Sequence, residues 1–137
     1  MSEKQKLLIV DDSELNRDIL KEILGSSYDY LEAENGNQAI QILEVHPEID
    51  LMLLDINMPQ MNGFQVLEHM GELQWIDEVP VVMISSEESV EIMRKAYDLG
   101  ITDYISRPFD AVIVKKRVQN TLALYANQKR LINVVVD

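Results

Sequence analysis

The chain has 137 residues, 47% hydrophobic and 26% charged, with no cysteine; this fits one globular domain with its own core and excludes a disulfide framework or a thiolate metal site. Its formal net charge of -12 repels phosphate backbones, so direct nucleic-acid binding is not expected, whereas a basic partner or a divalent cation would be attracted. No apolar run approaches the length of a membrane span, and Met-Ser-Glu-Lys-Gln-Lys leads into only a short apolar stretch, so neither a signal peptide nor an anchor is expected and the location is expected to be cytoplasmic.

The first predicted element is an apolar run over residues 6–10 that ends in Asp11 and Asp12, the pattern of a strand buried on both faces. Ser13 is placed to cap a helix in which Leu15, Ile19, Leu20, Ile23 and Leu24 recur at helical spacing until Gly25 stops it. Residues 28–33 read as a second strand and 37–45 as a second helix carrying Ala39, Ile40, Ile42 and Leu43. Residues 50–54 form the most apolar strand, which ends at Asp55. A turn-rich stretch from Asn57 to Gly63 precedes a helix with Phe64, Val66, Leu67 and Met70. Pro80 opens a strand over 81–84 that runs into Ser85 and Ser86, and the next helix bears Val90, Met93, Ala96 and Tyr97 and stops at Gly100. The last strand is predicted at 101–105, with Arg107 and Pro108 closing it and a long helix beginning near Phe109.

Five strand–helix pairs with short connections predict an α/β fold, a flavodoxin-like (βα)5 doubly wound parallel sheet in the order 2-1-3-4-5 with an extended C-terminal helix. The chain reads as one domain over 1–127, with 128–137 as a helical extension or the start of a linker.

Ligands of open α/β sheets sit outside the carboxyl ends of the strands. Asp11 and Asp12 end the first strand, Asp55 the third and Ser85 the fourth, and Arg107 follows the fifth. With the first and third strands as neighbours, three carboxylates converge. Each like-charge pair at about 4 Å costs on the order of 4 kcal/mol at an effective dielectric near 20, a cost that a hard dication with oxygen ligands removes. Mg²⁺ suits few carboxylates and an arriving phosphate. Asp55 has the chemistry of a nucleophile towards phosphorus, Ser85 offers a hydroxyl and Arg107 a permanent positive charge.

The stretches Leu7-Leu8-Ile9-Val10-Asp11-Asp12, Leu53-Leu54-Asp55-Ile56-Asn57-Met58-Pro59 through Gly63, Val81-Val82-Met83-Ile84-Ser85-Ser86 and Asp103-Tyr104-Ile105-Ser106-Arg107-Pro108-Phe109 together resemble the CheY-like receiver domain of two-component response regulators. The resemblance implies that Asp55 accepts a phosphoryl group from a sensor histidine kinase or phosphotransfer protein. It implies that Asp12 and Asp55 bind Mg²⁺ directly (Mn²⁺ being a substitute), joined by the backbone carbonyl of Asn57, with Asp11 acting largely through water. Ser85 would hydrogen-bond the phosphoryl group, Tyr104 would be the aromatic switch residue, and the surface of the fourth helix, fifth strand and fifth helix would report the state to a partner. The family's lysine after the fifth strand is Arg107 here, which predicts altered switching or acyl-phosphate lifetime. Asn57 and Glu87 occupy positions that tune acyl-phosphate hydrolysis in receivers, or are simply exposed loop residues.

His46 and His69 are isolated and read as surface residues, while Trp75 and the methionines read as packing. The C-terminal stretch carries Lys115, Lys116, Arg117, Lys129 and Arg130. Val118, Leu122, Tyr125, Ile132 and Val136 fall at alternating four- and three-residue steps if Lys129 fills one place, which predicts a short seam for a homodimer or a lead into a C-terminal output domain. Two rival readings remain: a phosphate-independent interaction module, supported by Arg107, and a haloacid-dehalogenase-like phosphatase. The phosphatases carry a second acidic residue two positions after the nucleophile, where this chain has Asn57. The expectation is therefore a phosphoacceptor with slow self-hydrolysis rather than a turnover enzyme.

Overall fold

Strands that read as unbroken apolar runs can be satisfied only between two layers of helix, and the chain folds in that way. The computed structural model describes residues 4–58, 61–86 and 89–136, with side chains through Ala126. The elements are β1 (Gln5–Val10), α1 (Glu14–Leu24), β2 (Tyr28–Ala33), α2 (Gly36–Val45), β3 (Leu51–Asp55), α3 (Gly63–Glu72), a 3₁₀ turn (Trp75–Asp77), β4 (Val81–Ser85), α4 (Val90–Asp98), β5 (Asp103–Ser106) and α5 (Ala111–Val136). All strand pairs are parallel and the order is β2-β1-β3-β4-β5, as the flavodoxin-like reading requires.

Side-chain alternation divides the core by face. Leu7, Ile9, Leu51, Leu53, Val82 and Ile84 pack against α1 and α5 through Leu20, Leu24, Val114, Val118 and Leu122. Leu8, Val10, Met52, Leu54, Val81 and Met83 point the other way, against α2, α3 and α4. Met52, Met58, Met70 and Met83 are buried, and Trp75 packs half-buried on the second cluster, so these residues are core filler as read.

The helices start on side-chain caps. Ser13, Asn35, Asn62 and Ser89 each accept a hydrogen bond from the backbone N–H three residues on, and Gln65 completes a reciprocal capping box with Asn62. Gly25 and Gly100 stop α1 and α4 at φ 84° and 107°, values that side chains rarely adopt.

Two details differ from the periodicity reading. In α1 the buried stripe is Arg17, Leu20 and Leu24, whereas Leu15 is 68% exposed, because a paired arginine takes the inward position one turn before Leu20. The fifth strand starts at Asp103 rather than at residue 101. The Ile101 N–H closes the end of α4 on the Ala96 carbonyl, which withdraws it from the ladder. Pro59 and Glu87 lie outside the described residues, as do the side chains of Lys129, Arg130, Ile132 and Val136.

Candidate functional site

Registers align the strand ends. Val10 lies beside Leu54, and Asp55 beside Ile84, so Asp11 and Asp12, Asp55 and Ser85 emerge at one edge of the sheet. One carboxylate oxygen from each of Asp11, Asp12 and Asp55 falls within 4.8 Å of the others. Asp11 and Asp55 are buried and Asp12 is exposed, so the cluster has two walls and one open side.

The peptide backbone holds the two buried carboxylates in place. The Ser13 N–H donates to Asp11 Oδ1 at 2.9 Å, and the Asn57 N–H donates to Asp55 Oδ1 at 3.0 Å. Arg107 occupies the remaining oxygens. Its Nη2 donates to Asp11 Oδ2 at 2.7 Å and lies 3.0 Å from Asp55 Oδ2, while its backbone N–H donates to the Ser85 carbonyl at 3.1 Å. Ser85 is buried at the end of β4, and Asn57 is exposed two residues beyond Asp55.

Burial pushes the Asp55 carboxyl above its ordinary value; the Asn57 N–H and Arg107 pull it back, and the Asp11 charge adds to the rise. Burial alone would lower the Arg107 guanidinium, but the hydrogen bond and field of Asp55, followed by those of Asp11, raise it instead. With every group ionised, three carboxylates face one guanidinium, leaving two negative charges uncompensated. An all-oxygen donor set carrying two spare charges, open on the Asp12 side, fits a small hard dication.

Tyr104 stands apart on the edge strand β5, half-buried, with Arg117 of α5 stacked 4.7 Å above its ring. Arg117 Nη1 donates to the Tyr104 carbonyl and lies 3.7 Å from Asp103 Oδ1, which itself accepts from the Tyr104 N–H at 2.8 Å. Of the remaining candidates, His46 is hydrogen-bonded to Glu48 at 3.1 Å and His69 is half-exposed on α3, both away from the acidic edge.

Of two supporting residues, Arg17 escaped the sequence reading and Gly63 entered it only as the end of the turn-rich stretch. Arg17 is buried, with Nη1 donating to the Asp11 carbonyl and Nε to Glu32 at 2.9 Å. Its signal was a charged residue three positions before Leu20 on the inward stripe. Gly63 packs onto the end of β3, where a Cβ would stand 2.8 Å from the Asp55 carbonyl oxygen.

The sequence matches the response regulator receiver domain family over residues 7–119. The chain belongs to this family. Among its relatives is the chemotaxis protein CheY1 of Helicobacter pylori (strain ATCC 700392 / 26695), 33% identical over 119 residues that make up 85% of this chain and 96% of that one. A Vibrio cholerae protein described as "Probable cyclic di-GMP phosphodiesterase" is 32% identical over 93% of this chain, which spans only 29% of its length. The crystal structure of a CheY-like response regulator receiver domain protein from Methanospirillum hungatei JF-1 superposes with a TM-score of 0.80 at 25% identity, covering 92% of this chain and 99% of that one. The receiver family is a signalling family of two-component systems. Among the described residues no helix is long and apolar enough to cross a membrane.

Proposed function

We propose that this receiver domain accepts one phosphoryl group on Asp55 from a phosphohistidine of a sensor kinase or phosphotransfer protein, with Mg²⁺ held by Asp12, Asp55 and the Asn57 carbonyl and with Asp11 behind it. The observation that supports this reading best is the meeting of Asp11, Asp12 and Asp55 within 4.8 Å beside the Arg107 guanidinium. An Asp55 carboxylate oxygen attacks phosphorus as the bond from phosphorus to the donor nitrogen breaks, and the electron pair of that bond stays on the imidazole. The Asn57 N–H holds the other Asp55 oxygen, which fixes the direction of attack. The bound Mg²⁺ supplies neutralisation of charge on the transferring oxygens. Ser85, at the end of the neighbouring strand, donates its hydroxyl to the phosphoryl group.

The state is then reported through α4, β5 and α5. The contacts of Tyr104 support this, since Arg117 of α5 stacks on its ring and donates to its carbonyl, so a turn of the ring would be felt on that helix. Helix α5 runs on to Val136, and the segment 128–137 is where an output domain would attach. The longer Vibrio cholerae relative supports that arrangement. The acyl phosphate is lost by slow self-hydrolysis in the cytoplasm.

The test is incubation with acetyl phosphate and Mg²⁺, read by intact-protein mass. One phosphoryl group per chain, absent in Asp55→Asn and without Mg²⁺, is expected. Continuous turnover of a phosphomonoester would transfer the case to the phosphatase reading. Absence of both labelling and any beryllofluoride response would leave only the interaction module.

A further inference from the structure

The two buried carboxylates of the site have four oxygens, and each is already engaged. Ser13 and Asn57 backbone N–H groups hold one oxygen on each, and a single nitrogen of Arg107 spans the other two at 2.7 and 3.0 Å. The backbone donors are fixed by the turns that start α1 and follow β3. The guanidinium is the one donor of the three carried on a rotatable side chain, and that side chain is 22% exposed.

The same arginine carries an unmet donor. Its Nε is buried and, among the described residues, has no hydrogen-bond partner, which disfavours this placement of the guanidinium. The bridge to two carboxylates therefore holds the side chain against a local cost, and a swing towards solvent would relieve it. A cation bound to Asp55 or Asp11 at about 2.1 Å from an oxygen would face the guanidinium at close range. Two positive groups on shared oxygens repel each other, so each weakens the other's hold. Because a guanidinium does not deprotonate, pH does not relieve this repulsion.

We infer that Arg107 is an internal competitor for the divalent cation: its guanidinium closes the acidic site when metal is scarce, and Mg²⁺ binds only by displacing Nη2 from Asp55 and Asp11. This deepens the phosphoacceptor reading and rests on it for the identity of the cation. It makes Mg²⁺ concentration a gate on phosphorylation in this chain.

The experiment measures Mg²⁺ affinity by calorimetry for the unmodified protein, Arg107→Lys and Arg107→Gln, at low and at high NaCl. Arg107→Gln is expected to bind Mg²⁺ at least tenfold more tightly, with Arg107→Lys between, and the ranking is expected to persist when salt screens the general field. In the unmodified protein the NMR signal of the Arg107 Nε–H should move in step with Mg²⁺ occupancy, a readout that needs no variant to fold. Equal affinities across the three proteins, no detectable binding to any, or an Nε–H signal unmoved at saturation would each overturn the inference. Acetyl phosphate labelling at saturating Mg²⁺ separates the two claims. Failed labelling with separated affinities sinks the phosphoacceptor reading alone, and successful labelling with equal affinities sinks the competition alone.

Discussion

Burial holds the Asp55 carboxyl above its ordinary value of 3.8, against the pull of the Asn57 N–H and Arg107. The folded chain therefore keeps that proton more tightly than the unfolded chain does. The resulting stabilisation is fully present below 3.8 and is lost as pH rises through the folded value. At neutral pH the ionised carboxylate works against the fold, as groups arranged for chemistry often do. Asp55→Asn in a chelating buffer at pH 7 should raise the melting temperature by about 2–5 °C, and the gain should vanish as the pH is taken below 3.8. A lower melting temperature at pH 7 would mean that the Arg107 ion pair outweighs burial. At this scale the acidic residues were legible because each stands at the end of an apolar run. The Arg107–Asp11 contact was not, since it joins residues 96 positions apart, and no local pattern reports such a pairing.

Between β3 and α3 the chain must turn back closely enough for the helix to cap itself beside the Asp55 carboxylate. Gly63 makes this possible: its N–H donates to the Ile56 carbonyl at 3.2 Å, and a Cβ there would meet the Ile56 Cα at 2.6 Å and the Asp55 carbonyl oxygen at 2.8 Å. Those atoms are backbone and cannot rotate away. Gly63→Ala should cost about 2–3 kcal/mol in urea denaturation and should slow phosphoryl labelling, because the displaced atoms carry Asp55. Gly71 in the same helix is the control, since nothing lies within 4 Å of the Cβ position. Gly71→Ala should stabilise by about 0.5 kcal/mol and leave labelling unchanged. Equal effects at the two glycines would rule out a steric role for Gly63. The elements themselves were readable to within a few residues, because buried parallel strands leave apolar runs and the helices carry side-chain caps. The α1 stripe was misread at Leu15 because periodicity counts apolar residues, whereas Arg17 earns its inward place through Glu32 and the Asp11 carbonyl.

At the scale of the whole molecule, a net charge of -12 on 137 residues means that the folded chain repels itself. Part of that charge is diffuse surface, which monovalent salt screens. Another part is focused at one edge of the sheet, where Asp11 and Asp55 are buried beyond the reach of a screening atmosphere and only Asp12 faces water. The two parts should separate in a melting experiment. Raising NaCl from about 10 to 150 mM, which shortens the screening length from about 30 to 8 Å, should raise the melting temperature of the unmodified protein and of Asp12→Asn alike. MgCl₂ at matched ionic strength should add a further rise that keeps growing with the logarithm of its concentration, as mass action requires of a ligand bound only by the folded state. That added rise should be largely lost in Asp12→Asn, whose carboxamide keeps the shape but not the charge of the exposed carboxylate. If MgCl₂ and NaCl at equal ionic strength give the same curve, the acidic edge behaves as ordinary surface charge, and the metal-dependent account of Asp55 has no thermodynamic support.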